Sequence, residues 1–437
     1  MMCGGCLATP GPAASIDASA LGDDGGDDDG GDVDAAADAN PDGPPSAARC
    51  RPGGLPTPQP WPPAGVDVRH VRIADIDGDD VDDLVISVAG QVPMSTRPAK
   101  VFVLYGPVSS SAPMYHVTVD VDAAAELQPY AMSLDDADGD GCADLTVAGP
   151  PTSINTLPFV ATWAHDHSAQ AWTGVPDRAQ LSFVPDSGPV MIVWADLTVN
   201  AALDLAVADL NGVDFFIGST PTNLGGRISA PAPASCIWGY INALATQPRP
   251  GGRNRLIAFA HYQANTIEFD DVGTVTTTDN CTASGAPITR GSAVVDLDSV
   301  APLDLISGGG GFFGAHILAG SAAPVSPTTG APECANRGGI EGFAVADMGG
   351  TAALDAVTID QDDQAPVGSY ACLVSGFTVT STAVTRNAQS ELWLGTGRAT
   401  TVAIGDVNGA VRGWIVDLDG TLHCVQRNAG ANTLEPC

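Results

Sequence analysis

The sequence contains the acidic segment Asp75-Ile-Asp-Gly-Asp-Asp-Val-Asp-Asp-Leu84 and a near copy, Asp136-Ala-Asp-Gly-Asp-Gly-Cys-Ala-Asp-Leu145. Both lie between short apolar runs that alternate as β-strands do. Counted from its first aspartate, each segment carries carboxylates at positions 1, 3, 5 and 9. Carboxylates at this density repel one another unless a cation neutralises them, and such a set of hard oxygen ligands suits Ca²⁺. The two segments, called here the first and second loops, therefore predict calcium-binding turns between strands.

The predicted ligands are the four carboxylates of each loop together with the backbone carbonyl at position 7. They are Asp75, Asp77, Asp79, Asp83 and the carbonyl of Val81 in the first loop, and Asp136, Asp138, Asp140, Asp144 and the carbonyl of Cys142 in the second. Glycine at position 4 or 6 permits the tight turn, although Asp80 takes position 6 of the first loop. The loops are not EF-hands, because position 12 holds no glutamate and the flanks alternate like strands. The alternative is two acidic turns without metal, which the repeated spacing disfavours.

The acidic turn recurs in weaker form along the rest of the chain. The aligned positions are Asp75, Asp136, Asp196, a gap near Gln247, Asp296, Asp347 and Asp406. They lie roughly 50 to 60 residues apart, a period typical of propeller repeats. An apolar run precedes each turn, and two more follow it. Seven such units without a convincing helix predict an all-β fold, a seven-bladed β-propeller over residues 66–437. Two or three separate β-sandwiches are the alternative.

The pattern Asp-x-Asp-Gly-Asp-Gly-x-x-Asp-Leu, followed later by Val101-Phe-Val-Leu-Tyr-Gly106, resembles FG-GAP/VCBS repeats. The resemblance covers residues 66–437 and is strongest in the first two units. It implies the seven-bladed propeller found at the head of integrin α subunits. In that family calcium lies in the turn between the first two strands of a blade, which implies the eight carboxylates named above as ligands.

The later turns depart progressively from the pattern. Weaker calcium sites are predicted in the third loop, with ligands Asp196, Thr198, Asn200 and Asp204, and in the fifth, with Asp296, Asp298 and Asp304. The sixth loop keeps only Asp347 and Asp355, and the seventh keeps Asp406 and Asn408. Arg249 and Arg255 in the fourth unit exclude a cation. We expect structural calcium ions with dissociation constants of roughly 10⁻⁴ to 10⁻³ M, as in extracellular modules.

Charge and composition limit the partners and divide the chain. Lys and Arg number 17 against 51 Asp and Glu, which disfavours nucleic acid and anionic membranes as partners. Residues 1–49, rich in Asp, Gly and Ala, predict a disordered tether, and residues 50–65 predict a Pro-rich lead-in. The segment Gly4-Gly-Cys6 resembles the end of a bacterial lipoprotein signal, with Cys6 or Cys3 lipidated and the membrane contacted only there. The alternative is a structureless N-terminus with two free thiols. We expect a monomer.

Eight further cysteines form no CxxC pair, which disfavours zinc and indicates disulfides in an oxidising compartment. Proximity along the chain favours Cys236–Cys281, Cys334–Cys372 and Cys424–Cys437, and it leaves Cys50–Cys142. The alternative is buried free thiols in a cytoplasmic protein. The expected location is extracytoplasmic, either at the cell surface or secreted.

Two other segments carry weaker functional signals. Gly309-Gly-Gly-Phe-Phe-Gly314 fits a phosphate-binding glycine pattern, but no helix follows, so an inter-strand loop is expected. His165-Asp-His167, near Trp163 and Trp172, suggests a transition-metal site or an exposed aromatic patch for a sugar. No Ser-His-Asp or Cys-His motif is recognisable. We therefore expect a non-enzymatic ligand-binding or adhesion module for a protein or glycan. A lectin and a polysaccharide-acting enzyme are the alternatives.

Overall fold

The computed structural model describes Cys50 and most of residues 57–437. The described residues are 50, 57–79, 81–89, 99–121, 129–150, 157–166, 171–172, 174–182, 191–198, 202–209, 212–230, 241–248, 254–260, 263–269, 274–280, 291–295, 304–309, 312–316, 340–349, 354–362, 368–375, 378–380, 383–385, 388–408, 410–428 and 430–437. The predicted tether, with Cys3 and Cys6, lies outside these residues. Within these ranges no helix is long and apolar enough to cross a membrane.

The described chain forms antiparallel β-sheets that follow one another in sequence order. The first sheet consists, in spatial order, of β2 (Val68–Ala74), β3 (Asp83–Val88), β4 (Lys100–Leu104) and β6 (Val117–Asp120), and a ribbon pairs β1 (Gln59–Pro60) with β5 (Met114–Tyr115). The second sheet consists of β7 (Ala131–Asp135), β8 (Asp144–Gly149), β9 (Phe159–Trp163) and β12 (Asp177–Gln180), and a ribbon pairs β10 (His165–Asp166) with β11 (Ala171–Trp172).

Three further sheets repeat this meander. The third consists of β13 (Met191–Ala195), β14 (Asp204–Ala208), β15 (Val213–Ile217) and β16 (Gly226–Ser229). The fourth consists of β17 (Ile241–Pro248), β18 (Asn254–Ala260), β19 (Gln263–Phe269) and β20 (Val275–Asn280). In the fifth, three described strands pair: β21 (Gly291–Val295), β22 (Asp304–Gly309) and β23 (Phe312–His316).

Two sheets complete the chain. The sixth consists of β24 (Ile340–Ala346), β25 (Asp355–Asp362), β26 (Gly368–Ser375) and β29 (Ala388–Gly395), and a ribbon pairs β27 (Thr378–Thr380) with β28 (Ala383–Thr385). The seventh consists of β30 (Ala399–Gly405), β31 (Arg412–Asp417), β32 (Leu422–Asn428) and β33 (Thr433–Pro436). The predicted all-β class is confirmed.

The sheets are arranged in a ring. The first strand of each sheet packs beside the first strand of the next, in the order β2, β7, β13, β17, β21, β24 and β30, and β30 packs back against β2. Separate sandwiches would not give this circular order. The arrangement is that of a β-propeller, in which each sheet covers the face of its neighbour.

The hydrophobic core lies between neighbouring sheets. Every residue of β3 is buried. Val85 packs toward the second sheet, in a cluster that includes Met132. Leu84 and Ile86 point the other way, into a cluster shared with Trp414 of the seventh sheet. Because successive strand residues face opposite sides, β3 must be apolar on both faces, which explains the unbroken run Leu84-Val-Ile.

The first and seventh sheets close the ring through backbone contacts. Val68 N donates to Leu418 O at 3.0 Å, and Asp82 N donates to Asp406 O at 3.1 Å. The Trp61 indole Nε1 donates to the carbonyl of Gly420 at 2.9 Å. The lead-in that contains Trp61 therefore contacts the far end of the chain.

The fourth sheet departs from the predicted alignment. Gln247 was expected to open a turn, but it lies within β17 and pairs with Arg255 of β18. Five residues (249–253) separate the paired Pro248 and Asn254, whereas eight (75–82) separate the corresponding pair in the first sheet. The hairpin ladder continues further because no group of carboxylates forces it open. Arg255 is thus a strand residue, and its Nη1 lies 3.5 Å from Glu268 Oε1. Arg249 lies outside the described residues.

Candidate metal centres

The first loop joins β2 to β3, and its own aspartates hold its turn. Asp75 Oδ1 accepts hydrogen bonds from the backbone N of Gly78 at 2.7 Å and of Asp79 at 3.2 Å. Gly78 has a φ of 72°, which a residue with a side chain adopts only at a cost. Val81 N donates to Asp79 Oδ1 at 3.0 Å. The predicted role of glycine at position 4 is therefore confirmed, while Asp80 lies outside the described residues.

The second loop, between β7 and β8, has the same construction. Asp136 accepts from the backbone N of Gly139 through Oδ1 at 2.8 Å and from that of Gly141 through Oδ2 at 2.9 Å. Both glycines have positive φ, 78° and 88°. Cys142 N donates to Asp140 Oδ1 at 2.8 Å. The same turn thus arises twice from the same spacing of aspartates and glycines.

The aspartate at position 9 is buried and clamps the loop to its sheet. Asp83 is 1 % exposed. Its Oδ2 accepts from Ile76 N at 2.8 Å, and its Oδ1 accepts from Gly106 N, just beyond β4, at 2.7 Å. In the second loop Asp144 accepts in the same way from Ala137 N and His165 N, each at 2.9 Å. Position 9 is therefore fixed by backbone donors, with lone pairs that remain for a cation.

Three carboxylates converge in each of these two loops. One oxygen each from positions 1, 3 and 9 lie within 4.8 Å of one another in Asp75, Asp77 and Asp83, and likewise in Asp136, Asp138 and Asp144. The carboxylates at position 5, Asp79 and Asp140, are not members of these groups and bond instead to the backbone at position 7. The carbonyls of Val81 and Cys142 remain predicted ligands.

The crowding of the carboxylates is visible in the pKa values at position 9. Burial, opposed by the two backbone donors and assisted by the neighbouring Asp77 and Asp75, raises the pKa of Asp83 to about 8. Burial likewise raises the pKa of Asp144 to about 7, with added repulsion from Asp138 and Asp140. In both loops the fold therefore disfavours the ionised form of the aspartate at position 9, and a divalent ion bound there would offset that effect. The residues present fit Ca²⁺ in charge and ligand type.

The third loop keeps the clamp but only part of the ligand set. Asp204 Oδ2 accepts from Leu197 N at 3.0 Å, and its Oδ1 accepts from Gly218 N at 2.7 Å. Burial raises the pKa of Asp204, although these hydrogen bonds and one from Thr198 oppose the shift. Among the described residues, only the first and second loops bring three metal-ligating side chains together. Asn200 lies outside the described residues, so a metal site with Asp196 here stays a prediction.

The fifth, sixth and seventh loops differ from the first two. Asp296 and Asp298 lie outside the described residues, and so does the side chain of Asp304. In the sixth loop Asp355 takes position 9, and Met348 N donates to its Oδ2 at 3.2 Å. The guanidinium of Arg427 also contacts this carboxylate. The sequence analysis did not identify Arg427 as a partner of this loop. Six residues (406–411) form the seventh loop, which is shorter than the first two.

The other sequence candidates gain no functional support. In the glycine segment, Gly309 ends β22 and pairs with Phe312 of β23, and the two residues between them, where the inter-strand loop was expected, lie outside the described residues. The predicted exposed aromatic patch is wrong, because Trp163 and Trp172 are 2 % and 3 % exposed and pack between the first and second sheets. His165 is also buried, and His167 lies outside the described residues.

Two predicted disulfides are confirmed. Cys50 bonds to Cys142 at position 7 of the second loop, and Cys424 bonds to Cys437 in the seventh sheet. Cys372 is disulfide-bonded as well, while its predicted partner Cys334 lies outside the described residues. The predicted pair Cys236–Cys281 also lies outside them. Disulfides of this kind are typical of an oxidising compartment.

No protein-family model matches the chain, and no curated protein matches its sequence. Among solved structures, selenomethionine-substituted virginiamycin B lyase from Staphylococcus aureus aligns with a TM-score of 0.46 and 9 % identity, over 81 % of this chain and 93 % of that one. Sqt1 from Saccharomyces cerevisiae aligns at 0.49 and 9 %, over 87 % and 88 %. A catalytically inactive form of the lyase with quinupristin aligns at 0.47 and 9 %, over 85 % and 98 %. Both proteins are β-propellers, and a likeness this distant carries nothing about activity or ligand.

Proposed function

We propose that this chain is an extracytoplasmic, calcium-stabilised, seven-bladed β-propeller of FG-GAP type that acts as a ligand-binding or adhesion module. The observation that carries the proposal is the convergence of three carboxylates in each of the first two loops. The disulfides favour an oxidising location, which is where calcium is abundant enough to fill weak sites.

Calcium in these loops would have a structural role. Positions 1, 3 and 9 would hold the ion, namely Asp75, Asp77 and Asp83 in the first loop and Asp136, Asp138 and Asp144 in the second. When bound, the ion supplies the positive charge that offsets the repulsion among these carboxylates. The chain does the rest: position 9 ties the loop to its sheet, and the glycines hold the turn.

The ligand would be a protein or a glycan bound by the loops at the ends of the sheets, because a propeller scaffold leaves its loops free to vary. An acidic N-terminal tether would hold the module away from the cell surface. The chemistry that supports this role over an enzymatic one is that the most concentrated carboxylates are engaged in loop structure. We expect no release of reducing sugars from polysaccharides, and a glycan array would separate a glycan ligand from a protein ligand.

Calorimetric titration of Ca²⁺ into chelator-treated protein tests the metal. We expect two sites with dissociation constants of roughly 0.1 to 1 mM. At 10 mM Ca²⁺ each site should add about 1.5 to 3 kcal/mol to the free energy of unfolding. The matched control is the double variant Asp77→Asn/Asp138→Asn, which keeps the shape of both side chains but should lose the binding heat of the first two loops. Zero heat and an unchanged melting temperature in the parent protein would refute the proposal.

A further inference from the structure

The sixth loop (residues 347–355) receives an arginine from the neighbouring sheet. Arg427 of β32 donates from Nη1 to Asp355 Oδ2 at 2.8 Å and to Oδ1 at 3.1 Å, and from Nη2 to Asn432 Oδ1 at 2.7 Å. The Asp355 side chain is 0 % exposed and that of Arg427 is 9 % exposed. The pair is thus withdrawn from solvent, where a charge-assisted hydrogen bond is strong and the loss of either partner is costly.

The guanidinium of Arg427 fits against the sixth loop because a glycine in that loop has no side chain. Position 3 of the sixth loop is Gly349, whereas the first two loops have Asp77 and Asp138 there. A Cβ on Gly349 would lie 2.4 Å from Arg427 Nη1. The guanidinium therefore lies between positions 3 and 9, two of the three positions whose carboxylates converge in the first two loops.

The described residues of the sixth loop share one contact with the metal loops. Met348 N donates to the carboxylate at position 9, as Ile76 N does in the first loop. Asp347, at position 1, accepts from Gly349 N at 3.0 Å. We propose that Arg427 is an internal cation that replaces Ca²⁺ in the sixth loop, so that this loop closes without metal. The comparison with the first two loops rests on the proposed function, whereas the contacts of Arg427 do not.

Thermal unfolding of Arg427→Met in calcium and in chelator is the first test. The melting temperature should fall by roughly 4 to 6 °C, equally in both buffers, because a buried carboxylate loses its partner. Arg398→Met, at an exposed arginine just before β30, is the control and should melt like the parent. Gly349→Ala should also lower the melting temperature by displacing the guanidinium, which gives a second measurement if Arg427→Met fails to fold. Two variants that melt like the parent would overturn the proposal.

A gain of binding is the second test. In the Asp77→Asn/Asp138→Asn background, the added pair Arg427→Met/Gly349→Asp should create one calorimetric Ca²⁺ site, because it removes the guanidinium and supplies the third carboxylate. No added site would overturn the claim that Arg427 occupies the metal volume. If the parent binds no calcium but Arg427→Met lowers the melting temperature in both buffers, the proposed function fails and the role of Arg427 stands.

Discussion

The second and sixth loops of this protein each bury an aspartate at position 9, and we propose that different cations neutralise it, Ca²⁺ in the second loop and Arg427 in the sixth. Both place a buried aspartate at the start of the second strand of a sheet, Asp144 and Asp355, and both bond it to the backbone N of position 2. The second loop adds two more carboxylates, whereas the sixth has Gly349 at position 3 and receives Arg427. The comparison shows that the contact between positions 2 and 9 persists where an arginine from the neighbouring sheet provides the positive charge.

The largest effect is expected at Asp355. Asp355→Asn leaves the guanidinium of Arg427 buried without a counter-charge, and we expect a loss of about 3 to 5 kcal/mol in the free energy of unfolding. Because no metal takes part, urea denaturation should give the same loss in 10 mM Ca²⁺ and in chelator. A loss that calcium reverses would show that the sixth loop depends on metal after all.

A smaller, conditional effect is expected at Asp77. In 10 mM Ca²⁺, Asp77→Asn should lower the free energy of unfolding by about 1.5 to 3 kcal/mol, the contribution of one site. In chelator the same variant should be at least as stable as the parent, since one of three converging negative charges is gone. Urea denaturation in the two buffers measures both values. Equal losses in the two buffers would place Asp77 with Asp355 as a metal-independent residue.

This difference between loops also explains what the sequence could predict. The first two loops are local patterns, so their spacing predicted both the turns and the carboxylates that meet, Asp79 and Asp140 excepted. Arg427 is separated from Asp355 by 72 residues, and only the packing of the seventh sheet against the sixth joins them. The one local signal was Gly349 at a position that elsewhere holds an aspartate.

The fourth sheet shows a second limit of sequence patterns. The turn of the fourth unit was aligned at Gln247 from the average repeat length alone. Because no acidic residue marks this turn, the alignment placed it at a residue that lies within β17. The two confirmed disulfides also differ in how directly the sequence predicted them. Cys424–Cys437 follows from nearness in sequence, whereas Cys50–Cys142 followed only from the other assignments and required the ring to bring the two cysteines together.

Acid should affect the first sheet through a group that is not part of any loop. His70 of β2 contacts the carbonyl of Tyr130, and burial, assisted by Arg72, lowers its pKa from 6.5 to about 3. The folded state therefore holds His70 neutral while the unfolded state gains a proton below pH 6.5. Stability from this residue is fully present above that pH and is lost as the pH falls toward 3, by about 2 kcal/mol between pH 7 and 5.

The variant His70→Gln isolates this contribution. The parent's free energy of unfolding relative to the variant should fall by about 2 kcal/mol between pH 7 and 5, when both are measured in chelator by urea denaturation, because the loop aspartates titrate alike in the two proteins and cancel in the difference. Parallel slopes for the two proteins would show that His70 is not the acid-sensitive group. Loop variants are therefore best compared near pH 7, where this residue contributes equally to all of them.

The smallest effect separates the first two loops from each other. The disulfide Cys50–Cys142 anchors position 7 of the second loop, and both cysteines are at most 2 % exposed, whereas Val81 has that position in the first loop. An anchored residue loses less conformational freedom when a cation binds, a difference on the order of 1 kcal/mol, or a several-fold change in affinity.

In the Asp77→Asn background, where only the second loop should bind, Cys50→Ser/Cys142→Ser should weaken Ca²⁺ binding several-fold in calorimetry. In the Asp138→Asn background the same pair of substitutions should leave the first loop unchanged. Equal weakening in both backgrounds would mean that the disulfide acts through the stability of the whole ring rather than through its own loop.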